Sequence, residues 1–413
     1  MSDDTSAVDC GKAMHGDTPR VLLIAPQPFY EDRGTPIAIH HVAHALVQRG
    51  WLVDILTYAV GRDVVSPEIR IIRFGTWFRF KTVPIGLSLK KVLLDTAMPW
   101  AIWKQLGRNK YDCLHAVEEA VYPALIFGRM ADIPVIYDMQ SSIAEQLSLH
   151  PLLRFLRPGR LLRWIERHAC TRAATVVCSA GLARKYSQNL GASVAREWTF
   201  PGSGEQVASE DRLTHRLELG IPESRQIVMY AGNFERYQGI STLLAAVPLV
   251  LAACPETVFV LIGAGPGDMR RFSSQYARLI EQEKLILMPR QSRERVRQLL
   301  SIADVAVSPR ASGSNFPLKV FDYLAAGLPV VASDIPAHRG PADSALILVP
   351  PTPLGIADGI LSLLQNPQLA EMCRRDALEM GAKHLAWPVF CDQVVTVYEA
   401  ALAKAEPRSA IGQ

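Results

Sequence analysis

No two of the seven cysteines, at positions 10, 113, 170, 178, 254, 373 and 391, stand at the short spacing that zinc sites and dithiol motifs use. They are expected to be reduced and mostly buried. An uninterrupted apolar run of about 18 residues, the length a membrane-crossing helix needs, is missing from the chain. Residues 1–18 contain Asp3, Asp4 and Asp9 and no apolar core, so a disordered leader is expected there, not a secretion signal or an anchor. The cytoplasm is the expected compartment. Low-complexity segments are missing too. Excess charge of one sign is small: 44 Lys+Arg against 40 Asp+Glu leave +4, which points to no nucleic-acid partner. A chain of 413 residues exceeds one ordinary hydrophobic core, so two domains are expected.

What is present alternates. Short β-branched runs are followed by stretches with helical spacing, the pattern of parallel sheets covered by helices. The first strand is expected at Val21–Ala25. In the helix after it Thr35 can cap, Pro36 suits the first turn, and Ile39, Val42, Ala43, Leu46 and Val47 share a face before Gly50. Further strands are expected at 52–57, 69–74, 112–116, 134–138 and 175–179. The pattern breaks between Phe200 and Gly204, where proline and glycines suit an interdomain hinge. A second series follows, with strands at 226–231, 257–262, 285–288, 304–308, 329–333 and 345–349. The expected fold is α/β, two Rossmann-like doubly wound domains facing a central cleft. The expected units are 19–200, 201–387, and a terminal helix and tail over 388–413 that crosses back to the first domain. Such sheets bind ligands beyond the carboxyl ends of their strands, which here means the cleft.

The stretch from Ser308 to Asp334 is the most informative. It reads strand, polar loop, helix, glycine stop, strand. Pro317 suits a first helical turn, Leu318, Phe321 and Ala325 are expected to face the core, and Gly327 suits the left-handed cap. The helix then points its amino end into the cleft, where free N–H groups and a partial positive charge suit a diphosphate. Arg310 and Lys319 are the nearby cations. Fixed cations and a helix dipole can stabilise a leaving nucleoside diphosphate without a metal ion, so neither a metal site nor a cofactor is expected. The plainer reading of Lys319 and Asp322, three apart on one helix, is a solvated ion pair worth roughly 0.2–0.5 kcal/mol.

This stretch resembles the signature of retaining glycosyltransferase family four, in which a serine-proline strand end precedes a loop, a helix and Ala-Ala-Gly-x-Pro-Val-Val. Tyr230 to Ile240 is similar to that family's glycine loop, and Leu261 to Pro266 to its nucleotide-side loop. Pro28 to Pro36 is similar to its first loop, and Asp112 to Glu119 to its strand ending in histidine. The resemblance covers nearly the whole chain. It implies the GT-B fold and transfer of a hexosyl-type group, with retention, from a nucleoside diphosphate sugar in the C-terminal half. The implied acceptor is a glycan or a lipid-linked molecule on the first domain, in cell-envelope or polysaccharide synthesis. Together with the helix argument it puts Gly34, Thr35, Gly232, Asn233, Gln238, Gly263 and Gly265 at the donor. Ser314, Asn315, Phe316, Pro317, Leu318 and Asp322 join them. His115, Glu118, Arg310 and Lys319 are the candidates for the chemistry.

The chain departs from the family where it matters. Ser314 and Asp322 stand in place of a pair of glutamates, Asn233 and Gln238 in place of an arginine and a lysine, and Val117 in place of a histidine. Arg310 and Lys319 are expected to replace the missing cations. For His115 a hydrogen-bonded core role competes with a catalytic one; for Glu118 a surface charge competes with holding the acceptor hydroxyl. Two other functions stay open: a nucleotide-sugar epimerase of similar build, and a nonenzymatic nucleotide-sugar-binding partner subunit. A dinucleotide oxidoreductase is disfavoured, because the first loop lacks Gly-x-Gly-x-x-Gly.

Two basic, apolar stretches belong to the first domain. Phe80 to Lys110 sets six cations among Trp100, Ile102 and Trp103 with one acid, Asp95, and Leu152 to Arg172 combines six arginines with Phe155 and Trp164. Either their apolar positions pack inward under a solvated basic face, or the stretches lie peripherally on an anionic membrane surface.

Overall fold

The computed structural model describes residues 18–31, 34–63, 67–84, 88–141, 159–178, 195–196, 198–202, 209–313, 316–340 and 342–404. Residues 1–17 of the expected leader, 203–204 of the hinge and 152–158 fall outside these.

The first domain contains β1 (Arg20–Ala25), α1 (Gly34–Gln48), β2 (Leu52–Tyr58), β3 (Ile69–Phe74), α2 (Leu89–Leu106), β4 (Cys113–Val117), α3 (Val121–Ala131), β5 (Val135–Met139), α4 (Gly159–Arg172), β6 (Thr175–Cys178) and β7 (Ala195–Arg196). The second contains α5 (Ser209–Glu218), β8 (Ile227–Ala231), α6 (Ile240–Ala253), β9 (Val258–Ala264), α7 (Pro266–Gln275), α8 (Ala277–Glu281), β10 (Leu285–Pro289), α9 (Arg293–Leu300), β11 (Val305–Ser308), α10 (Leu318–Ala325), β12 (Val330–Ser333), β13 (Leu346–Val349), α11 (Pro353–Leu364) and α12 (Pro367–His384). Helix α13 (Trp387–Ala403) ends the described chain.

The two sheets repeat one topology. Strand order is β3-β2-β1-β4-β5-β6-β7 in the first and β10-β9-β8-β11-β12-β13 in the second. The paired strands run parallel, with Leu23 opposite both Ile55 and His115, and Ala306 opposite Met229. In each sheet the chain steps outward on one side of its first strand and returns to the other, so β1/β4 and β8/β11 are switch points. A crevice opens at the carboxyl end of such a pair, because the two flanking connections leave in opposite directions. The loops after β1, β4, β8 and β11 carry most of the candidate residues.

Strand periodicity sorts the cores. Leu22 and Ile24 face a layer made by α2, α3 and α4, whereas Val21, Leu23 and Ala25 face α1. Helix α13 contributes Phe390, Val394, Val397, Tyr398 and Ala401 to that second layer, so the chain end packs on the first domain. Phe200 packs against cores of both domains, and an alanine-sized group at Gly202 would lie 2.2 Å from the Ala325 Cβ of α10. The crossing is thereby tied to α10.

Two local expectations are corrected. Helix α1 already includes Gly34, so Thr35 lies within its first turn and is not its cap. Helix α10 buries Val320, Phe321, Tyr323 and Leu324, and Leu318 and Ala325 are only half-buried. Residues 236–253 are long and apolar enough to cross a membrane by composition. Here Leu243, Leu244, Val247 and Val250 of α6 are instead buried in the second domain's core beside α11.

Candidate active site

The loops after β8 and β11 are joined backbone to backbone. Ala311 N donates to Tyr237 O at 2.9 Å, and Gly239, at φ 73°, lies so close that a Cβ there would meet Pro309 O at 1.8 Å. Gly263 serves the next crossing: its φ is 112°, and a Cβ would stand 2.2 Å from Gly232 O. Only glycine tolerates both the left-handed backbone and the approach. Gly265 precedes α7, and its N–H donates to Asp268 at 3.1 Å, which gives it a capping role.

Lys319 and Arg310 meet over this platform. In the first turn of α10, Lys319 Nζ donates to Gln238 Oε1 and to the Tyr230 hydroxyl, each at 2.8 Å, and sits 4.1 Å from the Tyr230 ring centre. The hydroxyl passes its own hydrogen to Asn233 O at 2.6 Å. Burial, and then the charge of Arg310, hold the Lys319 pKa well below the usual lysine range. Arg310 is itself positioned: its Nε donates to Ser312 O at 2.8 Å and its guanidinium lies 5.2 Å from the Tyr237 ring centre. Gly313, at φ 134°, leaves room for that guanidinium, since a Cβ would be 2.2 Å from Nη2.

The remaining donor-side candidates divide. Asn233 accepts Glu235 N–H at 3.3 Å, which makes it a turn former. Gln238 is buried under Lys319. Phe316 packs against Phe321 with tilted rings whose centres are 4.7 Å apart, and Pro317 is the residue before the first turn of α10. Asp322 is half-buried on α10, one turn beyond Lys319. Ser314 and Asn315 lie outside the described residues. Gly34 is exposed with open space about it, so its site can take a side chain.

His338 was not anticipated. Fully buried after β12, it lies 2.9 Å from Ser308 Oγ through Nε2 and 2.7 Å from Ser333 O through Nδ1. The carbonyl can only accept, so Nδ1 carries the hydrogen and Nε2 accepts from Ser308. Burial lowers the His338 pKa to about 4. The residue pins the ends of β11 and β12 beneath the loop that carries Arg310; its residue type is the one sequence signal for it.

On the first domain the candidates separate. His115 has no exposed surface and lies inside β4. Its Nε2 is 3.4 Å from Asp138 Oδ2 and its Nδ1 2.7 Å from the Tyr398 hydroxyl of α13. It is therefore shut off from solvent and reaches only Asp138, itself buried and held at 3.1 Å by the Gln140 amide. Glu118 is different. It follows β4 with φ 50°, a conformation uncommon in non-glycine residues, and accepts from Ser141 Oγ at 2.7 Å. Lys91, expected on a basic face, turns inward to pair with Glu119 at 2.6 Å and stands 3.9 Å from Glu118. Burial raises the Glu119 pKa to about 7 against the pull of Lys91. Asp95 also points inward, accepting from the Tyr58 hydroxyl at 2.5 Å, and burial lifts its pKa to about 6.

Two doubly wound parallel sheets in one chain, each with a switch point beside its first strand, define a GT-B fold. The sequence model described as "Glycosyl transferase 4-like domain" matches residues 33–201, and that described as "Glycosyl transferases group 1" matches residues 211–380. The chain belongs to the family-four GT-B glycosyltransferases, and it is an enzyme of the transferase class. It is 27% identical over 386 residues to the phosphatidyl-myo-inositol mannosyltransferase of Mycobacterium leprae (strain TN), covering 92% of this chain and 96% of that one. Among solved structures it is similar to a sucrose-phosphate synthase from Thermosynechococcus elongatus, with a TM-score of 0.76 at 19% identity over 94% of this chain and all of the other. It is also similar to the Anabaena protein HepE in complex with UDP-glucose, with a TM-score of 0.68 at 15% identity over 92% and 99% of the two chains.

Proposed function

We propose that this enzyme moves a sugar, with retention at the anomeric carbon, from a nucleoside diphosphate donor held by the second domain to a hydroxyl on an acceptor held by the first. The observation that supports this most is the placement of Lys319 against Gln238 and beside Arg310. Gln238 stands where the family carries a lysine; Lys319 brings an ammonium to the same spot from the opposite loop. As the donor bond breaks, the departing diphosphate gains negative charge. Two prepositioned cations and the amino end of α10 stabilise that charge with little reorganisation. The leaving phosphate oxygen then accepts the proton of the attacking acceptor hydroxyl, so the transfer requires no separate side-chain base. No cofactor takes part in this scheme.

On the acceptor side, Glu118 and the Lys91–Glu119 pair offer an acceptor and a donor to sugar or polyol hydroxyls, and His115 works through Asp138 as a positioning residue. The acceptor we propose is lipid-linked, in envelope glycan synthesis; the mycobacterial relative is named for a phosphatidyl lipid. Calorimetric titration with UDP, GDP, ADP and dTDP, followed by their glucose and mannose derivatives, tests the donor half. One nucleotide is expected to bind, and alanine at Arg310 or at Lys319 to weaken it by roughly 10- to 100-fold, the size of a lost charge-assisted hydrogen bond. Unchanged affinity in both variants would overturn the scheme. Turnover of the donor to a second nucleotide sugar without acceptor would instead establish an epimerase.

A further inference from the structure

Helices α2, α3 and α4 lie side by side over one face of the first sheet and share one core. Their outer surfaces are unusual for a soluble layer. Helix α2 exposes Leu89, Trp100 and Trp103, the last at 61%. Next to it, Trp77 is half-exposed and meets Trp100 edge to face at 6.0 Å. Helix α3 exposes Ile126 and Met130, and α4 exposes Leu161 and Trp164, again at 61% for the tryptophan.

Charge is sorted on the same helices. The one acid of α2, Asp95, turns inward to Tyr58, and the one acid of α4, Glu166, is 1% exposed. Helix α3 has no acid. Cations stay outside: Lys90 on α2, Arg129 on α3, Arg163, Arg167 and Arg172 on α4. Lys104 packs its ammonium 4.7 Å from the Trp100 ring centre, so cation and aromatic ring share one level.

We propose that the α2–α3–α4 face docks on an anionic lipid bilayer. The arrangement matches what an interface rewards: indole rings at headgroup depth, aliphatic side chains just below, and lysines and arginines at the phosphates. A protein partner would need matching carboxylates across a wide cationic face, whereas an anionic leaflet supplies that complement everywhere. Orientation follows from the fold. Helices in parallel sheets run against their strands, so the amino end of α2 stands at the carboxyl end of β4, and Lys91 in its first turn touches Glu119. Leu89, at the head of α2, therefore lies beside the acceptor end of the cleft. Docked in this way, the cleft rim meets the headgroup layer, and an amphiphilic acceptor can enter while its tail stays in the membrane. This last step rests on the transferase reading above; the docking does not.

The test is vesicle co-flotation of the full chain. Vesicles with about a third phosphatidylglycerol are expected to carry the protein at low salt and to release it near 0.5 M, and pure phosphatidylcholine to carry little. Trp100→Ala with Trp103→Ala, and separately Lys90→Gln with Lys104→Gln, change groups outside the core. The lysine pair is expected to weaken partitioning on the order of 30-fold. Wild-type protein left in the soluble fraction at low salt, or partitioning that neither pair alters, would overturn the proposal. So would a wild-type dimer in sedimentation that the tryptophan pair splits, because the face would then belong to a second copy. Docking that persists while the nucleotide panel finds no ligand would sink the donor reading alone.

Discussion

Arg293, at the head of α9, donates from Nη1 to Nε2 of His41 on α1 at 3.2 Å, so the two domains touch through a guanidinium and an imidazole. Around His41 stand His40 and His44 on its own helix, Phe200 at the crossing, and Trp387 and Phe390 from α13. Glu68 faces His44. Burial comes first and Arg293 next in lowering the His41 pKa to about 3; burial, His44 and Arg293 lower that of His40 to about 4.

These shifts give the domain contact a pH dependence. Both histidines are uncharged in the closed contact, and opening it removes Arg293 and part of the burial, so both values rise toward 6.5. The contact contributes fully above about 6.5 and is lost progressively as pH falls toward 4, because the open form binds the extra protons. The radius of gyration from X-ray scattering is expected to rise over that interval in the wild type, and less in His41→Gln. Superimposable profiles for the two proteins would remove His41 from the explanation.

Lys319 predicts proton uptake. Its pKa is depressed in the free enzyme, and an adjacent diphosphate must raise it, so donor affinity declines as pH rises through the free value. Titrations of the bound nucleotide in buffers of different ionisation heat measure the protons directly. Uptake is expected to appear in the wild type as the buffer pH is raised through the free value, and not in Lys319→Met; equal uptake in both would mean that another group takes the proton.

Much of this arrangement can be read from the sequence, and the reason for each success or failure is physical. The central strands of both sheets are short apolar runs because they are covered on two faces, and the loops after β1, β8 and β11 announce themselves by glycine and proline, whereas Glu118-Glu119-Ala120 after β4 carries neither. Lys319 and Arg310 are visible as cations near a helix start. Their partners are not: Tyr230 lies 89 residues from Lys319, and Tyr398 lies 283 residues from His115. His115 falls in a strand buried on both faces, where one-dimensional spacing cannot distinguish an interior position from a cleft position. Helix α10 is only eight residues long, and packing against α12 as well as the sheet turns its buried face toward Val320 and Tyr323. The inward turn of Lys91 and Asp95 likewise depends on Glu119 and Tyr58, which other strands and loops supply.

Two glycine substitutions separate architecture from binding. In Gly263→Ala the new methyl meets the Gly232 carbonyl, a backbone atom that cannot step aside, at an unfavourable φ of 112°. A stability loss of about 2–4 kcal/mol is expected in denaturant titration. In Gly313→Ala the methyl meets the end of the Arg310 side chain, which can swing away. Only the strain of φ 134° then remains, so a smaller stability loss of about 1–2 kcal/mol is expected, while nucleotide affinity drops roughly tenfold, as for one weakened charge-assisted bond. Similar effects of both variants on melting and on binding would show that the Arg310 pose is incidental.

Tyr398→Phe tests the link from the terminal helix to the cleft. The variant keeps the ring that packs in the core and deletes only the hydroxyl 2.7 Å from His115 Nδ1. Asp138 accepts from Nε2–H, which leaves Nδ1 to accept from that hydroxyl; without it a buried nitrogen has no partner, at a cost of about 1–3 kcal/mol. A purely structural role ends there. If His115 also holds Asp138 for the acceptor, the variant lowers transfer to acceptor while donor affinity stays at the wild-type value. A variant that is less stable but transfers sugar at the wild-type rate would confine His115 to the core.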